Sequence, residues 1–262
     1  MRVETPRGGF EVRTSGESGT PLLLLHPLAL SGEVWRPVAE WFAGAGRRVL
    51  ALDARGHGGS DWDERPFTVE DMAEDAAAVV AGLGLDRVDV LGLSMGGSTA
   101  VALGTAHPEL VRRLVLADAT SCYGPDRVET WEERARSVET KPREQLIPFQ
   151  LDRWFSESFR AAEPAECQRV ADIFLATRSP AHAAACRALG AFDQSDRLDS
   201  ISAPTLVMVG DEDYATPLPM AQQLADGIAG ATLEVLPSTR HLSMVENRRS
   251  WEIVEQHLGG GA

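Results

Sequence analysis

The sequence Gly-Leu-Ser-Met-Gly at residues 92–96 has the composition and spacing of a nucleophilic serine on a tight turn. It follows the apolar run Val88–Leu91 and leads into a stretch with helical periodicity. A serine at such a strand-to-helix corner exposes its hydroxyl, and the flanking glycines let neighbouring backbone approach closely. The start of the helix also favours the negative charge that develops during attack on a carbonyl. We therefore predict that Ser94 is a catalytic nucleophile.

A serine nucleophile needs a base, and one of the six histidines stands where that base is expected. In enzymes with this motif the chain order is serine, acid, histidine, and the histidine follows the last strand. His241 meets both conditions, because it ends a loop after the apolar run Leu233–Leu236. His182 and His257 are expected at the surface. The sequence thus predicts His241 as the general base.

Carboxylates at residues 211–213 follow the apolar run Thr205–Val209 and compete for the role of the orienting acid. The spacing Gly-x-x-Asp, followed by a Thr-Pro that starts a helix, favours Asp213. Asp211 is the second choice, its other role being that of a turn residue that caps its own backbone. Asp118, at the end of an earlier apolar run, is the third. The acid would hold the imidazole in the correct tautomer and stabilise the imidazolium.

Acyl transfer creates an oxyanion, which requires N–H donors. The backbone N–H of Met95, the residue after the nucleophile, is the first predicted donor. The second should come from the loop after the apolar run Leu22–Leu25. Because Pro27 has no N–H, Leu28 is the predicted donor in this loop. His26 is expected to organise the loop through hydrogen bonds.

Six short apolar runs, nearly continuous rather than alternating, predict strands buried on both faces, as in a parallel sheet. They are Leu22–Leu25, Val49–Leu52, Val88–Leu91, Leu114–Leu116, Thr205–Val209 and Leu233–Leu236. Helical patterns lie between them, roughly over 70–83, 96–106, 218–228 and 249–258. This alternation predicts an α/β fold with a mostly parallel, twisted sheet flanked by helices. Residues 2–13 predict an antiparallel hairpin that turns at residues 7–9.

One region, from about Ser121 to Asp199, contains no convincing buried strand and has amphipathic stretches with aromatic side chains instead. It predicts a helical insertion between two strands. We therefore divide the chain into a core domain, residues 1–120 and 200–262, and a helical cap, residues 121–199. The cap carries 11 basic and 14 acidic residues, a near balance that suits a lid over a mostly apolar pocket.

Composition narrows the function further. The 262 residues suffice for one α/β domain with a large core, and the net charge of −14 argues against nucleic acid as a partner. The three cysteines form no CxxC pair and the histidines lack metal-binding spacing, so we expect no metal and no organic cofactor. The polar N-terminus and the lack of a run of about 20 apolar residues predict a cytoplasmic protein without membrane contact. Its expected partner is a small-molecule substrate, and a homo-oligomer remains open.

Over nearly its full length the chain resembles the α/β-hydrolase superfamily. The matching segments are LLLLHPLALSG, VLALDARGHGGSD, VDVLGLSMGGSTA, RRLVLADA, APTLVMVGDEDYATP and RHLSMVEN. Within the superfamily it is most similar to the 3-oxoadipate enol-lactone hydrolase group, through GLSMGG followed by HPELVRRLVLADA, through LDRWFSESF, and through GDEDYATP with HLSMVEN. The resemblance implies a four-helix cap over Ser94. It also implies hydrolysis of a carboxylic ester or lactone, such as 3-oxoadipate enol-lactone, through an acyl-serine.

The chain departs from that group in its last cap helix. Members of the group tend to carry Ile-Arg-Asp there, whereas this chain has Leu-Gly-Ala at residues 189–191. A carboxylated lactone needs a cationic partner. Arg153 is the candidate replacement, and Trp131 and Trp154 are candidate aromatic contacts for the substrate.

Two alternatives remain. The same triad could hydrolyse a C–C bond in a vinylogous diketone or carry out perhydrolysis. The chain could also be a binding protein without turnover, because a fold does not prove activity. Serine at position 94 argues against haloalkane dehalogenase and epoxide hydrolase chemistry, which use aspartate there.

Overall fold

The apolar runs become strands of one eight-stranded sheet in a computed structural model, which describes residues 1–259. The strands are β1 (Arg2–Thr5), β2 (Gly8–Ser15), β3 (Pro21–Leu25), β4 (Arg48–Leu52), β5 (Val88–Leu93), β6 (Val111–Ala117), β7 (Thr205–Gly210) and β8 (Thr232–Leu236). Their order across the sheet is β1-β2-β4-β3-β5-β6-β7-β8. The mostly parallel α/β sheet expected from the sequence is therefore confirmed.

Six neighbouring strands are parallel to one another: β4, β3, β5, β6, β7 and β8. β1 and β2 add an antiparallel edge beside β4. β5 and β7 are buried along their whole length, as their continuous apolar runs predict. The prediction was wrong for β8, where only Leu236 is buried. As an edge strand, β8 has one neighbour and less cover from helices.

Eleven α-helices lie among residues 1–259. They are α1 (Arg36–Gly44), α2 (Val69–Gly82), α3 (Met95–Ala106), α4 (Arg127–Thr140), α5 (Ile147–Trp154), α6 (Glu157–Ala162), α7 (Pro164–Ala176), α8 (Ser179–Ala191), α9 (Leu218–Gly227), α10 (Ser243–Glu246) and α11 (Arg249–Leu258). Local sequence explains several of their starts. Thr68 and Asp71 form a capping box at α2, and proline stands in the first turn of α1, α5, α7, α8 and α9. No helix in this range is both long and apolar enough to cross a bilayer.

The N-terminal hairpin forms, but it turns one step earlier than predicted. Residues 6 and 7 make the turn, while Gly8 and Gly9 already pair with Thr5 and Glu4 in the ladder. Pro6 lacks an N–H and so suits the turn better than the ladder. The difference is confined to the edge strands β1 and β2 and leaves the site unaffected.

Helices α4 to α8 lie between β6 and β7, in the segment predicted as the cap. Five α-helices are present there rather than the expected four. Ser156 caps the start of α6 by accepting the N–H of Phe159, and Pro164 begins α7. These two local signals separate a short extra helix from its neighbours. The division into two domains stays a prediction.

Hydrogen bonds near the strand ends join the cap segment to the core, among them the following three. Thr177 donates its hydroxyl proton to the carbonyl of Ala29 over 2.8 Å. Arg169 donates to the carbonyl of Glu33 over 3.0 Å. The N–H of Leu242 donates to the carbonyl of Trp154 over 3.0 Å. The cap therefore covers the edge where the parallel strands end.

Candidate active site

Ser94 occupies a sharp corner between β5 and α3. Its backbone has φ 57° and ψ −115°, a left-handed conformation that costs a non-glycine residue about 1–3 kcal/mol. A Cβ on Gly92 would overlap the carbonyl of Gly96, and a Cβ on Gly96 would overlap the carbonyl of Leu25. Both glycines of the motif are thus required by close backbone approach. The corner directs the serine hydroxyl to the carboxyl edge of the sheet.

The structure brings Ser94, His241 and Asp213 into one hydrogen-bonded chain. Nε2 of His241 lies 2.8 Å from Oγ of Ser94, and Nδ1 lies 2.8 Å from Oδ2 of Asp213. Because an ionised carboxylate can only accept, Nδ1 carries the proton and Nε2 can accept the serine proton. All three residues are at least 95% buried. Their loops follow β5, β7 and β8, whose carboxyl ends share one edge of the sheet.

Asp213 is held as an anion by its own loop. The N–H groups of Ala215 and Thr216 donate to Oδ1 over 2.7 and 3.1 Å, and the Thr216 hydroxyl donates to Oδ2 over 2.7 Å. Burial alone would raise its pKa. The His241 charge and the hydrogen bonds from His241 and Thr216 outweigh burial and lower the pKa of Asp213 to about 2. The carboxylate therefore stays ionised at neutral pH.

The other two candidate acids make hydrogen bonds to backbone N–H groups instead of to His241. Asp211 is exposed and accepts the N–H of Thr239 over 3.3 Å. Asp118 is buried and accepts the N–H groups of Gly210 and Ser243. Neither carboxylate hydrogen-bonds to His241.

Both predicted oxyanion donors have a free N–H. Within residues 1–259, the backbone N–H groups of Leu28 and Met95 have no hydrogen-bond acceptor. Leu28 lines the pocket that contains Ser94, and Met95 is the next residue along the chain. His26 organises the loop as expected: its ring contacts the carbonyl of Pro27 over 2.8 Å and accepts the N–H of Ala54 over 3.0 Å. Two N–H groups are therefore available beside the serine.

The pocket over Ser94 is narrow, about 10 Å³, and is closed by the cap segment. All three predicted substrate contacts, Trp131, Arg153 and Trp154, line it. Tyr123, Trp131, Arg134 and Arg153 also line a second cavity of about 650 Å³, which opens to solvent. These four side chains line both cavities and so form the wall between the serine and the outer cavity.

The family model for the alpha/beta hydrolase fold matches residues 20–248. The chain belongs to the α/β-hydrolase family. It is 27% identical to 3-oxoadipate enol-lactonase 2 of Acinetobacter baylyi over 239 residues, which cover 91% of this hydrolase and 88% of its relative. It is also 31% identical to the 2-hydroxymuconate semialdehyde hydrolase of Pseudomonas sp. strain CF600 over 256 residues, 88% and 83% of the two chains.

Among solved structures, this hydrolase is similar to the enol-lactonase from Burkholderia xenovorans LB400. The TM-score is 0.93 at 29% identity, and the match covers 98% of this chain and 99% of that one. The resemblance to the 3-oxoadipate enol-lactone hydrolase group, expected from the motifs, is confirmed by these likenesses.

Two arginines of the wall lack carboxylate partners. Arg153 of the hydrolase makes no hydrogen bond and no salt bridge to any of residues 1–259. Arg134 lies over the ring of Trp131 at 4.9 Å and has one long contact, 3.5 Å, to Oε1 of Gln150. Burial and the charge of Arg134 lower the pKa of Arg153 to about 10, so Arg153 remains cationic at neutral pH. The hydrolase therefore presents two unpaired positive charges beside its serine.

Sequence reasoning missed Tyr123 and Arg134 as wall residues of the hydrolase. Arg134 had a usable signal, because it follows Trp131 by three residues in α4 and so shares its face. Tyr123 lies in a loop and had none.

The expected surface position of His182 was wrong. This side chain is fully buried, packs edge-on against Phe174, and accepts a hydrogen bond from Arg143 over 3.4 Å. His257 is only partly exposed. Neither histidine lines the pocket over the serine. Within residues 1–259, no cluster of three or more His, Cys, Asp or Glu side chains is arranged to hold a metal ion.

Proposed function

We propose that this protein hydrolyses a carboxylic ester or lactone through an acyl-serine intermediate. The observation that carries the proposal is the unbroken hydrogen-bonded chain from Asp213 through His241 to Ser94. A serine hydroxyl becomes an effective nucleophile only when a base accepts its proton, and here an oriented base lies within proton-transfer distance.

In the first half-reaction, Oγ of Ser94 bonds to the substrate carbonyl carbon while its proton passes to Nε2 of His241. The resulting oxyanion accepts hydrogen bonds from the N–H groups of Leu28 and Met95. Collapse breaks the bond to the alcohol oxygen, which takes the proton from His241. In a lactone this oxygen stays attached to the acyl chain. Water, activated by the same imidazole, then releases the acid and restores the serine.

The unpaired guanidinium groups of Arg153 and Arg134 favour a substrate that carries a carboxylate. A guanidinium binds a carboxylate with charge-assisted, often bidentate hydrogen bonds, and it does so most strongly where water is excluded. An anionic enol-lactone such as 3-oxoadipate enol-lactone fits this description. The names of two relatives, 3-oxoadipate enol-lactonases 1 and 2, point the same way.

Labelling with a fluorophosphonate tests the nucleophile. The wild-type protein should be labelled on Ser94 and should turn over short esters and lactones. Ser94→Ala should lose both labelling and turnover. Ser98→Ala removes another buried hydroxyl, one turn along α3, and should still be labelled. Turnover retained by Ser94→Ala would rule out the covalent route.

A matched pair of esters tests the substrate charge. One would be the 4-nitrophenyl monoester of a short dicarboxylic acid, and the other the same ester with its free carboxylate methylated. Arg153→Met should lower kcat/KM about 10- to 100-fold for the anionic ester, the loss expected for one charged hydrogen-bonding partner. The neutral ester should change little. Arg160→Met, an arginine of the cap paired with Asp152, is the control and should affect neither ester. Equal losses on both esters would contradict the charge proposal.

Hydrolysis of a C–C bond is the second candidate, favoured by the 31% identity to the 2-hydroxymuconate semialdehyde hydrolase. Initial rates on 3-oxoadipate enol-lactone and on a ring-cleavage dienone distinguish the two reactions. A faster rate on the dienone would overturn the ester or lactone proposal. A folded protein that the fluorophosphonate fails to label would favour a binding protein without turnover.

A further inference from the structure

A buried carboxylate outside the triad stands at the centre of the catalytic edge. Asp118 follows β6, is fully buried, and has a left-handed backbone with φ 47°. Such a conformation costs a residue other than glycine about 1–3 kcal/mol and persists only where the surroundings hold it in place. Asp118 does not touch His241, so the reaction proposed above leaves it without a role.

Its carboxylate accepts hydrogen bonds from two of the three catalytic loops, and the residue before it in the chain bonds to the third. Oδ1 accepts the N–H of Gly210, three residues before Asp213, over 3.1 Å. Oδ2 accepts the N–H of Ser243, two residues after His241, over 3.0 Å. The residue before Asp118, Ala117, accepts the N–H of Ser94 over 2.9 Å.

We propose that Asp118 is a positioning residue that sets the mutual distances of Ser94, His241 and Asp213. This inference rests on the proposed function. The loops of Asp213 and His241 are joined to each other by the bond from the N–H of Glu212 to the carbonyl of Thr239, 3.0 Å long. Asp118 joins both loops to β6, and through Ala117 to the serine.

A carboxylate suits this position because two N–H groups from different loops need two acceptor oxygens. Asparagine supplies one acceptor and would turn an NH₂ group toward the other N–H. Alanine supplies none and leaves two buried donors unpaired. Burial and the nearby Asp213 carboxylate raise the pKa of Asp118 well above its ordinary value, so the protein holds this acid here at an electrostatic cost.

The test compares Asp118→Asn with wild type in two rates. The first is the rate constant for labelling of Ser94 by a fluorophosphonate, which reports the alignment of serine and base without the specificity pocket. The second is kcat on an ester, measured with KM. Because a misplacement near 1 Å can cost roughly 100-fold, we expect both rates to fall about 10- to 100-fold while KM stays within about twofold.

Val115→Ala, a truncation in the same strand, is the matched control for lost stability. It should lower the unfolding temperature and leave the labelling rate at the wild-type value. Asp118→Glu is the second variant, used if the asparagine variant does not fold. It keeps two acceptor oxygens but displaces them by one methylene, so it should fold and be labelled more slowly.

Wild-type rates in folded Asp118→Asn would overturn the inference, and so would wild-type rates in Asp118→Glu. The inference would also be overturned if Val115→Ala lowered the labelling rate in proportion to its loss of stability. Slower labelling of the Asp118 variants could then be explained by lost stability alone. Failure of the proposed function would look different, because the wild-type protein itself would then resist labelling.

Discussion

At the scale of single residues, the site depends on three side chains that are far apart in sequence and meet within hydrogen-bond distance. Ser94 and His241 are 147 positions apart, yet their Oγ and Nε2 atoms are 2.8 Å apart. Asp213 lies at the other side of the imidazole and takes three further hydrogen bonds from Ala215 and Thr216. This acid therefore has one orientation and one charge state, which in turn sets the tautomer of the base.

Replacing Asp213 should separate its role from that of its neighbour. Asp213→Asn removes the negative charge and favours the wrong imidazole tautomer, so we expect kcat to fall roughly 10⁴-fold, the loss that a triad aspartate causes elsewhere. Asp211→Asn removes a charge two residues away on an exposed side chain and should cost less than about twofold. Steady-state rates on one ester, measured for both variants, check this. Equal losses of kcat in the two variants would show that Asp213 is not the acid that orients His241.

At the scale of elements, the strand-to-helix corner brings two pieces of backbone into contact. Gly96 packs against the carbonyls of Leu25 and His26, so the corner also supports the loop that carries the Leu28 donor. The proposed nucleophile and the proposed oxyanion donors are therefore built as one unit. A side chain at position 96 would push them apart.

A pair of glycine substitutions in α3 tests this coupling. Gly96→Ala should destabilise the protein by about 1–3 kcal/mol through overlap and should slow labelling of Ser94 more than its stability loss explains. Gly104→Ala, in the same helix, meets its nearest atom, Cγ1 of Ile201, at 3.4 Å. It should be neutral or up to about 1 kcal/mol stabilising, because alanine favours helix. Urea unfolding midpoints and labelling rates provide the comparison. A Gly96→Ala protein with normal stability and labelling would contradict the account.

At the scale of the whole molecule, the parallel sheet gathers the chemistry on one edge, since the strands from β4 to β8 all end there. The cap segment encloses that edge and contributes two unpaired arginines. The chain as a whole carries a charge of −14, so these cations are a local exception. The pocket that we propose to bind an anionic substrate is therefore locally cationic, although the molecule as a whole repels anions.

Three fully buried histidines give the whole molecule a pH-dependent stability. Burial removes the hydration of the charged ring and lowers the pKa of His26, of His182 and of His57, the last to about 3. In the unfolded chain these rings titrate near about 6.5. Below that pH these rings become protonated in the unfolded state but stay neutral in the folded state. The stability that these rings contribute is therefore full above pH ~6.5 and is lost as the pH falls, in the case of His57 through its folded-state pKa of about 3.

We expect the free energy of unfolding to fall as the pH goes from roughly 6 to 4, by about 1.4 kcal/mol per pH unit for each proton that only the unfolded state takes up. In the wild type the carbonyl of Arg55 lies 3.0 Å from Nδ1 of His57. His57→Asn keeps an N–H donor for this carbonyl, but its side chain cannot be protonated. The free energy of unfolding of this variant should fall less steeply with pH, by the contribution of about one proton, whatever its stability at pH 7.5. Chemical denaturation across this range measures both slopes. A free energy of unfolding that stays level as the pH falls would contradict the prediction.

Short-range chemistry let the sequence alone reveal much of this protein. The strands follow from continuous apolar runs, and the corner at Ser94 follows from two glycines between a strand and a helix. Leu28 could be chosen as a donor because Pro27 has no N–H. The strands, the corner at Ser94 and the loop of Leu28 were predictable, since each depends on residues that are neighbours in the sequence.

Only the tertiary structure decided what depends on distant packing. It brought Asp213, rather than Asp211 or Asp118, to His241, and it turned Asp118 into a link between loops. It also placed Arg134 in the pocket wall and His182 in the interior. No local pattern carries this information, because these contacts depend on which strands become neighbours and how the cap helices lie over them.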